Sequence, residues 1–221
     1  VQHHEEEKMA IIIMEMIGKN HNNQFYPTFS GVAQSYNYYP VSHMERKEGV
    51  AFVAAGLGKT VADGKKSLRF SPYYPEILSQ YYSPDTMLDN SQNNFYALDL
   101  NDGDNPMTEG EANNLSLYNL SKAEKDGELK YIASVLDTND SVLRDSLQYS
   151  GPRVITFSGL LKHRRIELAK ILKFFLKYGE SALGCPIEIE FALLEIIVFS
   201  FKDFFVSSKS SGSTQKAEIL G

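Results

Sequence analysis

Gly184-Cys185-Pro186-Ile187-Glu188-Ile189-Glu190-Phe191-Ala192 is the stretch on which the fold turns. Apolar and acidic residues alternate in it with a period of two. An extended chain therefore puts Ile187, Ile189 and Phe191 on one face and Glu188 and Glu190 on the other. Gly184 and Pro186 end whatever helix comes before. Just upstream, Leu161, Leu168, Leu172, Phe175, Leu176 and Leu183 recur at helical spacing with Ala169 on the same side, which predicts an amphipathic helix over 162–183. A helix and a one-sided strand together call for a sheet to pack against.

The first third of the chain offers that sheet. Met9-Ala10-Ile11-Ile12-Ile13-Met14-Glu15-Met16-Ile17 is an apolar run closed by Gly18, and its β-branched residues predict a buried strand. Phe29 to Tyr36 reads as a second strand and Gly49 to Ala55 as a third, which runs into Gly56-Leu57-Gly58. Polar turns between them predict a mainly antiparallel sheet. From 65 to 150 the composition shifts to Asn, Asp, Ser and Tyr, with turn formers at Ser71-Pro72, Ser83-Pro84 and Asn101-Asp102-Gly103-Asp104. Short strands are predicted there over 95–100 and 129–135. The expected class is α+β, with a sheet half over 1–75, a polar insertion over 76–150, and the helix plus acidic strand of the same domain over 151–206. The Ser-, Lys- and Gly-rich tail over 207–221 is expected to be disordered.

Composition narrows the function. The 221 residues are 43% hydrophobic, which suffices for one large domain or two small ones. A net charge of −6 with scattered basic residues argues against a nucleic-acid binder. The densest basic run, Lys162-His163-Arg164-Arg165, reads first as the solvated start of a helix and only second as an anion site. The single cysteine, Cys185, forms no intrachain disulfide and suits a reducing, cytoplasmic setting. No secretory signal is visible. The most apolar run, Leu193 to Val206, is broken by Glu195, Lys202 and Asp203 and is shorter than the ~20 residues of a membrane span. The opening, without Met, reads as the middle of a fold, so a longer protein is expected.

Three stretches could carry chemistry. Glu188 and Glu190 project side by side and can share one Mg²⁺ with phosphate oxygens and water. On spacing alone, an edge strand with its acidic face in solvent is the better reading. Gly56-Leu57-Gly58-Lys59-Thr60 imitates the end of a P-loop, but Val53 stands where the first glycine belongs, and a dinucleotide fingerprint fails too because its third glycine is missing. A tight turn is favoured over a phosphate cradle. Met14-Glu15-Met16-Ile17 could offer backbone groups and flexible side chains to an adenine, although core packing explains most such runs. The histidines at positions 3, 4, 21, 43 and 163 lack zinc spacing.

Taken in order, these pieces resemble the ATP-grasp nucleotide-binding domain of phosphoenolpyruvate synthases and pyruvate phosphate dikinases. Ala10 to Ile17 resembles the family's valine-rich Gln-x-Met-Val strand. Ser30-Gly31-Val32-Ala33 matches its Ser-Gly-Val-Ala/Met turn. Gly56 to Gly64 matches Gly-Leu-Gly-Glu-x-Val-Val-x-Gly, and Gly184 to Ala192 matches Gly-x-Pro-x-Asp-Ile-Glu-Trp-Ala. The match is good over 9–75 and 160–192 and poor over 76–150.

The resemblance implies a domain that binds Mg-ATP and passes a phosphoryl group to a histidine on a swivelling domain, from which a third domain forms phosphoenolpyruvate from pyruvate. It implies that Met14, Glu15, Met16 and Ile17 line the adenine, that Gly56 and Gly58 floor the cleft, and that Glu190 faces phosphates and metal with Glu188 beside it. There are departures. Met14 replaces Gln, Lys59 replaces Glu, and Phe204-Phe205-Val206-Ser207-Ser208 stands where Leu-Gln-x-Arg-Pro is expected. The family's phosphate-clamping Lys and Arg have no counterpart before Met9. The isolated chain is therefore expected to be a poor or inactive phosphotransferase. The rival readings are a non-catalytic remnant or interaction module that retains the fold without ATP turnover, and a binding module using its tyrosine-rich stretch.

Overall fold

The computed structural model describes residues 11, 13–100, 114–194, 205–208 and 216–218. Its centre is a six-stranded antiparallel sheet in the order β13-β12-β11-β3-β4-β5. The strands are β3 (Phe29–Gln34), β4 (Val50–Ala55), β5 (Leu68–Phe70), β11 (Ile187–Leu193), β12 (Phe205–Ser208) and β13 (Lys216–Glu218). β3 and β4 pair antiparallel, with Gly31 opposite Val53 and Ala33 opposite Ala51. The last strand read from sequence, β11, pairs with the first of these, Ile189 opposite Ala33 and Phe191 opposite Gly31.

Alternation decides what each face does. Phe29, Ala33, Ala51, Val53, Leu68, Phe70, Ile187, Ile189 and Phe191 are buried on one face. The phenyl ring of Phe29 meets that of Phe157 edge to face at 5.2 Å and that of Phe191 at 6.5 Å. Helix α5 (Leu168–Leu183) lies on this side and buries Leu168, Leu172 and Leu176 at i, i+4 spacing. Gly184 ends the helix at φ +67, its N–H donating to Glu180 O at 2.9 Å.

The helix begins later than its periodicity predicts. Residues 158–161 form a separate turn, α4 (Ser158–Leu161), flanked by left-handed Phe157 (φ +51) and Arg164 (φ +49). The chain folds back there, with His163 N–H on Ser158 O at 2.9 Å and Arg165 N–H on Gly159 O at 3.0 Å. A left-handed residue interrupts the series of helical hydrogen bonds, so Leu161 and Leu168 belong to different helices.

The stretch read as an insertion shares a sheet with the residues before it. The hairpin β1 (Lys19–His21) and β2 (Gln24–Tyr26) joins β6 (Asn94–Asp99) and β7 (Leu115–Asn119) in the order β1-β2-β6-β7. A third sheet, β10-β8-β9, comprises β8 (Ala133–Asp137), β9 (Val142–Arg144) and β10 (Arg153–Ile155). The strand expected over 129–135 starts late, because Glu128–Tyr131 makes a 3-10 turn after left-handed Gly127. Helices α1 (Lys59–Ala62), α2 (Pro84–Asn90) and α3 (Leu120–Lys125) are short, and Ser83 caps α2 by accepting from Thr86 N–H. One hydrophobic cluster joins Tyr26 and Phe95 to Leu129, Ile155, Leu172 and Ile189. The whole is an α+β fold.

Two expectations change. Residues 13–18 form no strand, whereas Met9, Ala10 and Ile12 lie outside the described residues. A strand needs a hydrogen-bonded neighbour, and β11 already pairs with β3 on one side and β12 on the other. In the tail expected to be disordered, Ser207 and Ser208 belong to β12 and 216–218 to β13, the remainder lying outside the described residues. The acidic strand is therefore internal, not an edge. Among the described residues no helix is long and apolar enough to cross a membrane.

Candidate functional site

The face of the central sheet turned away from α5 carries the side chains of interest. The register sets Glu188 opposite Gln34, Glu190 opposite Val32, and Ala192 opposite Ser30. Continuing across β4 and β5, Val32 faces Phe52 and Phe52 faces Arg69. One row thus runs Glu190, Val32, Phe52, Arg69, spanning about 14 Å at three strand spacings. Glu188, Gln34, Val32, Phe52 and Arg69 are half-buried and Glu190 is exposed, so this part of the face opens outward, whereas Ser30, Val50 and Ala54 on the same face are buried.

Position 188 is the better held of the two acids. Gln34 Nε2 donates to Glu188 Oε2 at 2.5 Å, which orients the carboxylate and leaves Oε1 for another partner. Glu190 is two residues further along the same face, as the alternation predicts. No group of three or more His, Cys, Asp or Glu suited to a metal occurs among the described residues. Two adjacent carboxylates, one oriented by an amide, do fit a divalent ion that takes its remaining ligands from phosphate and water. They do not form a cage that would hold an ion unaided.

The Gly56-Leu57-Gly58 turn leaves β4 beside this face. Gly56 sits at φ +78, and a Cβ there would lie 2.7 Å from Phe95 Cδ2 and 2.8 Å from Tyr96 O. Ser30 Oγ donates to Gly56 O at 2.9 Å, which ties this turn to the Ser30-Gly31 stretch of β3. The Gly56 N–H bonds Thr28 O at 3.4 Å and the Leu57 N–H bonds Tyr96 O at 3.0 Å. Those two donors are engaged by protein carbonyls, so the first half of the turn is a structural corner. Gly58 has its nearest neighbour, Ser30 Cβ, at 3.7 Å. Beyond it, Lys59 pairs with Asp63 at 3.3 Å, while Lys65 Nζ donates to Tyr96 OH and Tyr96 OH donates to Asp63 at 3.2 Å.

Gly31 explains why Ser30-Gly31 tolerates no larger residue. A Cβ at position 31 would stand 2.5 Å from Phe52 O and 2.6 Å from Phe191 Cζ. The β3–β4 approach and the Phe191 ring require the missing side chain.

Met14, Glu15 and Met16 are exposed and Ile17 is half-buried. Met14 and Met16 keep 51% and 50% of their surface, so these two side chains are not packed in the core of the described residues. Arg69 is the residue that sequence reading missed. Its signal was the alternation Leu68-Arg69-Phe70 after the glycine turn, which puts the guanidinium on the acidic face between two buried apolar neighbours. Arg69 Nη2 donates to Asn37 Oδ1 at 2.9 Å and to Tyr39 O, and its Cζ lies 5.5 Å from the Phe52 ring centroid. It is thereby fixed in place.

No characterised protein and no solved structure gives a significant match to the chain. A family model does, that of the pyruvate phosphate dikinase AMP/ATP-binding domain, over residues 2–200. This interval contains the β3 Ser30-Gly31 stretch, the Gly56 turn and the acidic strand. The chain belongs to the pyruvate phosphate dikinase AMP/ATP-binding domain family.

Proposed function

We propose that the chain is the ATP-binding part of a dikinase, holding Mg-ATP against the open face of the central sheet. The phosphoryl group passes to a phosphohistidine on a swivelling domain and from there to pyruvate, giving phosphoenolpyruvate. The observation that carries this reading is the side-by-side placement of Glu188 and Glu190 on an outward face, with Gln34 orienting the first. Magnesium bound by these carboxylates neutralises phosphate charge, which is most of what phosphoryl transfer asks of its site. Glu188 and Glu190 hold the metal, and Glu190 also faces the phosphates. Gly56 and Gly58 floor the cleft, and Met14, Glu15, Met16 and Ile17 line the adenine, the two exposed methionines offering apolar surface. Arg69, at the far end of the Glu190 row, supplies positive charge on the same face. The free thiol of Cys185 fits a reducing, cytoplasmic setting.

Thermal denaturation with ATP, in the presence and absence of magnesium, tests the reading. Magnesium-dependent stabilisation that disappears in the Glu188→Gln/Glu190→Gln variant is the expected result. Stabilisation of equal size without magnesium, or in the double variant, overturns it. A second reading, a domain that keeps the fold without turnover, is favoured by one observation: the Gly56 and Leu57 N–H groups are spent on Thr28 and Tyr96 carbonyls. Little or no ATP hydrolysis by the isolated chain is expected under both readings, so binding, not turnover, separates them.

A further inference from the structure

Lys162-His163-Arg164-Arg165 does not begin a helix. The left-handed turn at Arg164 folds the run back over α4, and Arg165 N–H bonds Gly159 O. This brings basic side chains to a cavity of about 420 Å³ lined by Lys130, Tyr131, Asp145, Ser158, His163 and Arg165. Phe157, which leads into α4, packs on the Phe29 side of the central sheet, so the cavity lies across the sheet from Glu188 and Glu190.

The charges around the cavity do not balance. Asp145 is already engaged three times, by Lys162 Nζ at 2.9 Å, by His163 Nε2 at 2.9 Å and by Ser134 Oγ at 2.9 Å. Lys130 and Arg165 are different. Both sit against the same aromatic ring, Lys130 Nζ at 5.0 Å and Arg165 Cζ at 4.8 Å from the Tyr131 centroid. Neither has a carboxylate partner among the described residues. Both also line the same cavity, so an anion seated there would offset the two positive charges together. The aromatic contacts restrain both side chains, which lowers the freedom lost when an anion binds.

We propose that this cavity is an anion site for a small phosphorylated metabolite, with Lys130 and Arg165 clamping the phosphate. Guanidinium and ammonium together suit a phosphate group, Arg through its planar fork and Lys as a point charge. The cavity is larger than a phosphate alone needs and falls within the range of small-molecule sites, so the ligand carries an organic portion. That portion meets Leu147 and the polar side chains of Ser146 and Gln148. The proposal is independent of the nucleotide reading, because none of these residues belongs to the acidic face.

The test is calorimetric titration of the whole chain with inorganic phosphate and then glycerol phosphate, at constant ionic strength set by chloride. Binding is expected, tighter for the ester than for phosphate, and weakened at least about tenfold in Lys130→Gln/Arg165→Gln, as loss of charged hydrogen bonds predicts. Both residues are exposed, so the variant should melt like the parent. Lys170→Gln/Lys177→Gln removes the same charge from α5 and is expected to leave binding unchanged. No heat beyond that of chloride sinks the proposal. So does equal weakening by the two double variants, or phosphate binding that Lys130→Gln/Arg165→Gln leaves intact, which would place the anion elsewhere.

Discussion

Gln34 Nε2 donates a hydrogen bond to Glu188 Oε2 at 2.5 Å, across a strand pair whose residues are 154 positions apart in sequence. The amide fixes one carboxylate oxygen and leaves the other to a ligand. Partners of this kind typically set metal affinity within one or two powers of ten. Gln34→Ala is therefore expected to weaken Mg-ATP binding about tenfold while shifting the melting temperature little, since the side chain is only half-buried. Parallel titration and melting experiments check this; unchanged affinity would show that Gln34 does not prepare Glu188 for a ligand.

Gly56 offers a sharper stability test. Its φ of +78 disfavours any side chain, and a Cβ would press on Phe95 and on the Tyr96 carbonyl. Gly56→Ala is expected to destabilise the fold by about 2–4 kcal/mol, combining strained backbone with overpacking. The measurement is urea unfolding followed by circular dichroism. Gly58→Ala, with only ordinary contact at 3.7 Å, should cost much less at that position.

Phe29 joins the central sheet to the Phe157 and Phe191 rings and is fully buried. Phe29→Ala is expected to cost about 3–5 kcal/mol, the usual penalty for emptying an aromatic core position. A cost below 1 kcal/mol in denaturant unfolding would show that the face does not pack as described.

Asp145 gives a pH dependence with a definite sign. Partial burial raises its pKa, but hydrogen bonds from Lys162, His163 and Ser134 and the nearby Lys162 charge outweigh that and hold it at about 2, against 3.8 for an ordinary aspartate. A carboxylate depressed on folding stabilises the protein above its unfolded pKa. That contribution is lost as pH falls through the folded value. Stability should therefore decline between about pH 4 and pH 2, and Asp145→Asn should flatten this part of the profile. Acid titration of both proteins, followed by fluorescence, measures the difference.

The legible parts of this chain are those whose pattern is local. Ile187 to Ala192 announces its two faces by parity alone, and the structure buries Ile187, Ile189 and Phe191 while turning Glu188 and Glu190 outward. Gly184 announces the end of α5. Features that depend on a distant partner were harder to see. The run ending at Ile17 has strand composition, yet residues 13–18 do not join the sheet. Arg164 has no compositional sign of its left-handed turn, so Leu161 was counted with the wrong helix. Pairing of β2 with β6 across some 70 positions and the place of Arg69 on the acidic face required the whole register.

That register carries an even-and-odd rule. A slip of one residue between β11 and β3 would turn the acidic strand inside out, sinking two carboxylates into the aromatic layer and putting Ile189 and Phe191 in water. A slip of two would keep every side chain on its own side. The oily side of the strand thus acts as a proofreader for the acids behind it.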